Sequence, residues 1–200
     1  GLRVRKKIRI RGYNEYKENN IVFLEIKRKY GMSIAKNRAP VAYECIRDLF
    51  VSGDIERYVL NGKDFPNALE DASRFFFHVY RGSLRPIVLI IYELEAYYSK
   101  FGSLRITLDK NLRSSIYPST DALFSEDRIL YSTPRHFILE LKFGGGLPSW
   151  LKPIIATLGL RQQALSKYII CVDRYVMLNG FSRRLTIAFS HTIPYFGESP

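Results

Sequence analysis

The stretch from Lys6 to Arg38, KKIRIRGYNEYKENNIVFLEIKRKYGMSIAKNR, constrains the fold more than any other part of the chain. Arg3, Arg5, Lys7, Arg9 and Arg11 hold every second position, with Val4, Ile8 and Ile10 on the other parity. Successive side chains of a strand point to opposite faces, so these cations share one face, spaced roughly 7 Å apart. In a second strand Glu25, Lys27 and Lys29 alternate with Leu24 and Ile26. The plain alternative is the solvated outer face of an ordinary antiparallel sheet. Like charges in a row repel, however, unless an anion sits among them. The pattern points to a polyanion.

Composition supports that direction. Lys and Arg number 31 against 19 Asp and Glu, a formal net charge of +12. Such an excess suits nucleic acid, polyphosphate, nucleotides or an anionic membrane surface. Two hundred residues with 46% hydrophobic content are enough for one core of ordinary size. The two cysteines, Cys45 and Cys171, form no CxxC pair, so a structural zinc site is not expected and a reduced, cytoplasmic setting is the simplest assumption. No apolar run reaches the roughly 18 residues of a membrane span, and no signal peptide is evident.

Taken in order, Gly31 to Arg38 reads as a turn leading to a short basic strand or loop. Pro40 suits the first turn of a helix through about Leu49, with Val41, Cys45 and Leu49 on one face. Pro66 begins a second helix toward Tyr80, whose buried stripe is Leu69, Ala72, Phe76 and Val79 or Tyr80. Phe75, Phe76 and Phe77 are expected in the core. Strands are expected at Pro86 to Tyr98 and Ser103 to Lys110, joined by Lys100-Phe101-Gly102. Arg113 to Arg135 is an excursion with a short strand near Ile129, and His136 to Phe143 returns to strand alternation. Helices resume at Pro148 and from about Ala164 to Met177. Gly144-Gly145-Gly146 lacks the Gly-Lys-Ser/Thr of a phosphate-binding loop and is read as a structural break. The division expected is one domain over residues 1–178 and a tail at 179–200 without a functional reading.

Arg9-Ile10-Arg11, Glu25-Ile26-Lys27, Arg105-Ile106-Thr107 and Glu140-Leu141-Lys142 each place polar groups two apart around an aliphatic. The fold class is therefore α+β, an antiparallel sheet wrapped by helices. If the strands close into a barrel with charged faces inward, the aliphatics face the helices, the inverse of an ordinary small barrel. Lysines and arginines with one or two carboxylates would then contain a phosphate chain and a hard divalent metal, which takes carboxylate and phosphate oxygens.

The segments RIRGY, LEIK, KNR, RITLD, ELK and SKY, in this order, resemble the VTC-type polyphosphate polymerase domain of the triphosphate tunnel metalloenzyme (CYTH-like) superfamily. The resemblance runs from about Lys6 to Arg174. It implies an antiparallel β-barrel tunnel with a charged interior, surrounded by helices. It also implies ATP as phosphoryl donor, inorganic polyphosphate as product and a divalent metal, Mn²⁺ or Mg²⁺. The family's first strand has no counterpart here, so an N-terminally incomplete tunnel is expected.

By motif, the resemblance assigns Arg9, Arg11, Lys27, Arg105 and Lys142 to catalysis. The same residues, with Lys36 and Lys167, would bind the phosphates, and Glu140 would bind the metal. The plain alternatives are an ion-pair partner for Glu140 and a solvated helix residue for Lys167. Glu25 reads as a second metal or charge-balancing group, or equally as an ion pair. His78, His136 and His191 lie outside these motifs and read as structural or surface groups. One departure stands out: a Y-x-R-x-A element of the family becomes Tyr92-Glu93-Leu94-Glu95-Ala96, with Leu94 where arginine is usual. The implied activity is transfer of the γ-phosphoryl group to a growing polyphosphate chain. A triphosphatase and a noncatalytic polyphosphate or nucleotide sensor remain the alternatives. Sequence-specific nucleic-acid binding is disfavoured, since the cations alternate with aliphatics on strands and no RNP-like aromatic motif accompanies them.

Overall fold

The computed structural model describes residues 4–31, 33–100 and 103–178. Arg3, Phe101 and Gly102 of the expected connection, His191 and the tail from 179 on lie outside the described residues. The chain divides into two compact units, one of Gly1–Ile87 with Tyr117–Glu126, the other of Val88–Ile116 with the chain from Asp127 on.

In the first unit, β1 (Val4–Arg11), β2 (Ile21–Tyr30) and β3 (Ser33–Ala42) form an antiparallel sheet in the order β1-β2-β3. The period of two sorts the side chains as expected. Val22, Leu24 and Ile26 of β2 are buried, as are Ala39 and Val41 of β3. They pack with Ile46 and Leu49 of α1 (Ile46–Ser52) and with Ala68, Ala72, Phe75 and Phe76 of α3 (Ala68–Arg81). Each buried aliphatic of this kind contributes about 2 kcal/mol. Between these helices lies α2 (Ile55–Tyr58), where the Asp54 carboxylate accepts from the Arg57 N–H at 3.1 Å. α1 stops at Gly53, whose φ of 72° is the left-handed conformation that glycine tolerates best.

Two expectations are corrected here. Pro40 does not open a helix: it lies within β3, and a 3-10 turn at Tyr43–Cys45 precedes α1. β3 is an edge of its sheet, where a missing backbone N–H is tolerated. Phe77 is not in the core but 54% exposed, because three consecutive positions of a helix cannot all face one side. It lies beneath the Arg81 guanidinium instead.

In the second unit β5 (Arg105–Ile116) is the central strand. It pairs antiparallel with β4 (Val88–Tyr98), β6 (Leu130–Tyr131) and β7 (Ile138–Lys142). The β4/β5 register shifts between Ile91 and Glu93, and Asn111 takes a positive φ of 51°. The bulge changes the parity of β5. Thr107 and Asp109 before it and Leu112 and Ser114 after it are all buried, although odd positions give way to even ones. α4 (Leu151–Thr157) carries Pro153 in its first turn, where no intrahelical donor is lost. α5 (Lys167–Leu178) packs Ile170 and Cys171 on Leu112, with Val88, Ile90, Tyr92 and Ile138 around them.

The architecture is thus mixed, with antiparallel sheets and helices, as the sequence led us to expect. The strand pairings among the described residues form two open sheets, with no closed barrel. No helix among them is long and apolar enough to cross a membrane.

Candidate functional site

Residues directly opposed in an antiparallel pair point to the same face. The register of the first sheet therefore collects its cations. Lys7 opposes Lys27, which opposes Lys36, so three lysines form a row across the strands. Neighbouring backbones are about 4.8 Å apart in that direction. One step along, Arg9 opposes Glu25, which opposes Arg38. Arg5, Arg11 and Lys29 complete the same face. The helices cover the other face, where Asp71 of α3 accepts from the Arg38 N–H (2.8 Å) and from Asn37 Nδ2 (2.6 Å). Arg28 donates to Asn37 Oδ1 at 2.7 Å. These bonds fix the backbone of β3 beneath Lys36 and Arg38.

Glu25 places its carboxylate on this face between two guanidinium groups. Arg9 Nε donates to Oε2 at 2.6 Å, and Arg38 Nε lies 3.3 Å from Oε1. Of the options left open by the sequence, the ion pair is the one observed. Arg38 also stacks on Phe23, its Cζ 3.4 Å from the ring centroid, and donates to the Tyr13 hydroxyl at 3.0 Å. Arg11 Cζ lies 5.0 Å from the centroid of the same tyrosine. Arg9, Arg11, Lys27 and Lys36 thus come together on one face, and Arg38 and Lys7 join them. The alternation already put Lys7 on the face of Arg9 and Arg11; the register adds Arg38 of KNR and sets Lys7 opposite Lys27.

In the second unit Arg105, Thr107 and Asp109 follow one another along one face of β5. Lys142 opposes Arg105, Glu140 opposes Thr107 and Leu94 opposes Asp109. Arg105 Cζ lies 5.2 Å from the Tyr98 ring centroid, and Lys142 Nζ lies 3.3 Å from Glu140 Oε1. Thr107 and Asp109 are each only 2% exposed, while Leu94 is 50% exposed. The buried atoms Arg105 Nε, Thr107 Oγ1 and Asp109 Oδ1 have no hydrogen-bond partner. Lys167, the first residue of α5, places Nζ 2.5 Å from Asp109 Oδ2 and 4.1 Å from the Tyr92 ring centroid. Lys167 is therefore not a solvated helix residue. Arg105, Lys142, Glu140 and Lys167 share one sheet face and the helix that begins over it.

Beyond this polar stretch Ser114, Ser132 and Cys171 are buried together. Ser114 and Ser132 share a hydrogen bond of 2.8 Å, and Ser132 donates to Cys171 Sγ at 3.4 Å. Burial pushes the Cys171 thiol above its usual range, so it stays protonated. His78 meets Lys6 Nζ at 3.2 Å, and His136 lies 2.7 Å from the Pro134 carbonyl oxygen, both in surface positions outside the two groups.

Among the described residues no three His, Cys, Asp or Glu side chains gather into a metal-binding group. Thr107, which opposes Glu140, and Asp109, two positions along β5, each keep an oxygen without a hydrogen-bond partner. All are hard oxygens, a set that fits Mg²⁺ or Mn²⁺ provided phosphate oxygens complete the coordination.

The chain is thus an α+β protein with a cation-rich face on its first sheet and a face of mixed, paired charge on its second. The chain belongs to the VTC domain family, whose pattern matches residues 1–176 and ties it to polyphosphate. Comparison with individually curated proteins gives no match.

Proposed function

We propose that this chain is a polyphosphate polymerase-like domain that binds ATP and polyphosphate in a basic tunnel and transfers the γ-phosphoryl group to the growing chain. The observation that carries this is the Lys7–Lys27–Lys36 row. Three opposed lysines concentrate positive potential along one line of the face, and an anion with a charge on every repeat matches that line. A string of phosphates is such an anion.

In this reading Arg9, Arg11, Lys27 and Lys36 of the first sheet hold phosphate oxygens, and the family resemblance gives the same role to Arg105, Lys142 and Lys167. When bound, a divalent cation held by Glu140 and phosphate oxygens supplies further charge neutralisation. A terminal oxygen of the chain attacks the γ-phosphorus in line, a new P–O bond forms, the bond to the β-phosphate oxygen breaks and ADP leaves. Side chains of this kind supply alignment and charge stabilisation, and no protein nucleophile is required.

Leu94 favours a second reading. It stands exposed on the polar face, opposite Asp109, at the place where the resembling domains carry arginine. A binding-only accessory domain accommodates that substitution more easily than an enzyme does.

Incubation with ATP and Mn²⁺, followed by assay of chain product and ADP, separates the two. Chain growth with equivalent ADP supports the polymerase. Tight polyphosphate binding without ADP supports the accessory domain, and phosphate release without chain growth identifies a triphosphatase. Duplex DNA that competes as well as polyphosphate at equal phosphate content and moderate salt would overturn all three, because an open basic surface accepts either.

A further inference from the structure

Lys167 occupies an unusual place for a cation. It is the first residue of α5, where the helix dipole disfavours positive charge, and an untethered lysine samples many rotamers. Two contacts hold it: Asp109 Oδ2 at 2.5 Å and the Tyr92 ring at 4.1 Å. Asp109 is 2% exposed, so this carboxylate is anchored in the protein rather than drawn from solvent.

Its surroundings supply a second observation. Asp109 ends a same-face row with Thr107 and Arg105, and each of the three keeps a buried polar atom without a partner. A native interior satisfies nearly all such atoms; here Arg105 Nε and Thr107 Oγ1 are donors open to an anion, whereas Asp109 Oδ1 can only accept. Arg105 offers donors at one end, Thr107 a hydroxyl between, and Lys167 an ammonium at the other. That order suits the oxygens of a phosphate group. Asp109 carries acceptors only, so without a metal any favourable effect on an anion has to pass through Lys167.

We propose that Asp109 is a positioning residue for anion binding, holding with Tyr92 the Lys167 ammonium at the end of the Arg105–Thr107–Asp109 row, where phosphate meets it already oriented. The inference rests on the reading of this face as phosphate-binding. It adds a residue that neither the motif assignments nor the family match supplies with a role.

The test uses the full chain carrying Cys45→Ser, which leaves Cys171 as the only thiol. Metal-free tripolyphosphate affinity is measured by calorimetry, and Cys171, on α5 and fully buried, reports by its reactivity whether the helix stays docked. Asp109→Ala is expected to weaken binding about tenfold. Asp109→Asn, whose amide oxygen still accepts from the ammonium, should stay within about threefold of the parent. In a Lys167→Met background Asp109→Ala should change affinity less than about twofold, the signature of an effect carried by Lys167. Unchanged or tighter binding by Asp109→Ala overturns the proposal, because Asp109 then only competes with the anion. If Asp109→Ala exposes Cys171, the Asn variant decides: a loss that persists in the Lys167→Met background overturns it, and retained affinity upholds it. A parent that binds no tripolyphosphate sinks the phosphate-binding reading itself, and this inference with it. A binding parent with an inert Asp109→Ala sinks the inference alone.

Discussion

The two sheets put the same alternation to opposite use. In β1–β3 the aliphatic parity is buried against helices and the charged parity is open, with Lys36 and Lys27 exposed. In β4–β7 the polar parity of β5 is the more deeply buried one, with Thr107 and Asp109 at 2% exposure. The first sheet therefore carries an excess of exposed like charge, tolerated because water screens it. The second encloses polar groups that must be paired or leave atoms unsatisfied. Removing a charge should thus have opposite consequences for stability in the two places.

The largest effect is expected at Glu140. Glu140→Gln keeps the size and removes the charge, so metal-dependent turnover should fall about a hundredfold, while metal-free tripolyphosphate binding holds or tightens. Turnover near the parent level would leave Glu140 as a partner of Lys142 and nothing more.

Next comes the buried pair. Lys167→Met strands the Asp109 carboxylate and should lower the unfolding free energy by about 2–3 kcal/mol in urea. Adding Asp109→Ala should recover most of that loss. Full stability of Lys167→Met would break the contrast between the sheets.

Leu94→Arg should tighten polyphosphate binding about tenfold, the worth of one charge-assisted contact. Leu94 is half exposed, so the fold should tolerate the change. No gain in affinity would mean that phosphate does not pass this part of the face.

Lys36→Met sharpens the first sheet's side of the contrast. Polyphosphate affinity should weaken severalfold with a shallower salt dependence, as expected when one phosphate contact is lost. Stability should rise by about 0.5 kcal/mol as repulsion within the row falls. A fall in stability would show that the row is not under electrostatic strain.

The smallest effect concerns pH. Burial, and then the Lys6, Arg28 and Arg81 charges, hold the His78 imidazole below its ordinary pKa of 6.5. The unfolded chain therefore binds the proton more readily in mildly acidic solution. Stability should decline as pH drops below about 6.5 and level off once the folded-state pKa is passed. His78→Gln should flatten that part of the stability profile slightly; an unchanged slope would remove His78 as its source.

Much of this was legible in the chain. The period of two separates Arg9 and Arg11 from Ile8 and Ile10, and Arg105, Thr107 and Asp109 from Ile106 and Leu108, because a strand's geometry leaves no other choice. The helix at Ala68–Arg81 and its stripe were readable for the same local reason. Contacts between distant segments were not. Pro40 is permitted in β3 because that strand is an edge, a property of the sheet and not of the residue. Lys7, Lys27 and Lys36 become a row only through register, which turn geometry and the burial of Val22, Leu24 and Ile26 set together. The bulge at Tyr92 and Asn111 reverses the parity of β5, so a strict alternation carried past it would have put Leu112 and Ser114 on the wrong face. Lys167 meets Asp109 because α5 docks its Ile170 and Cys171 on Leu112, and no local propensity in either segment encodes that meeting. Local periodicity sets which side chains share a face; packing between elements sets which face is buried and which charges meet.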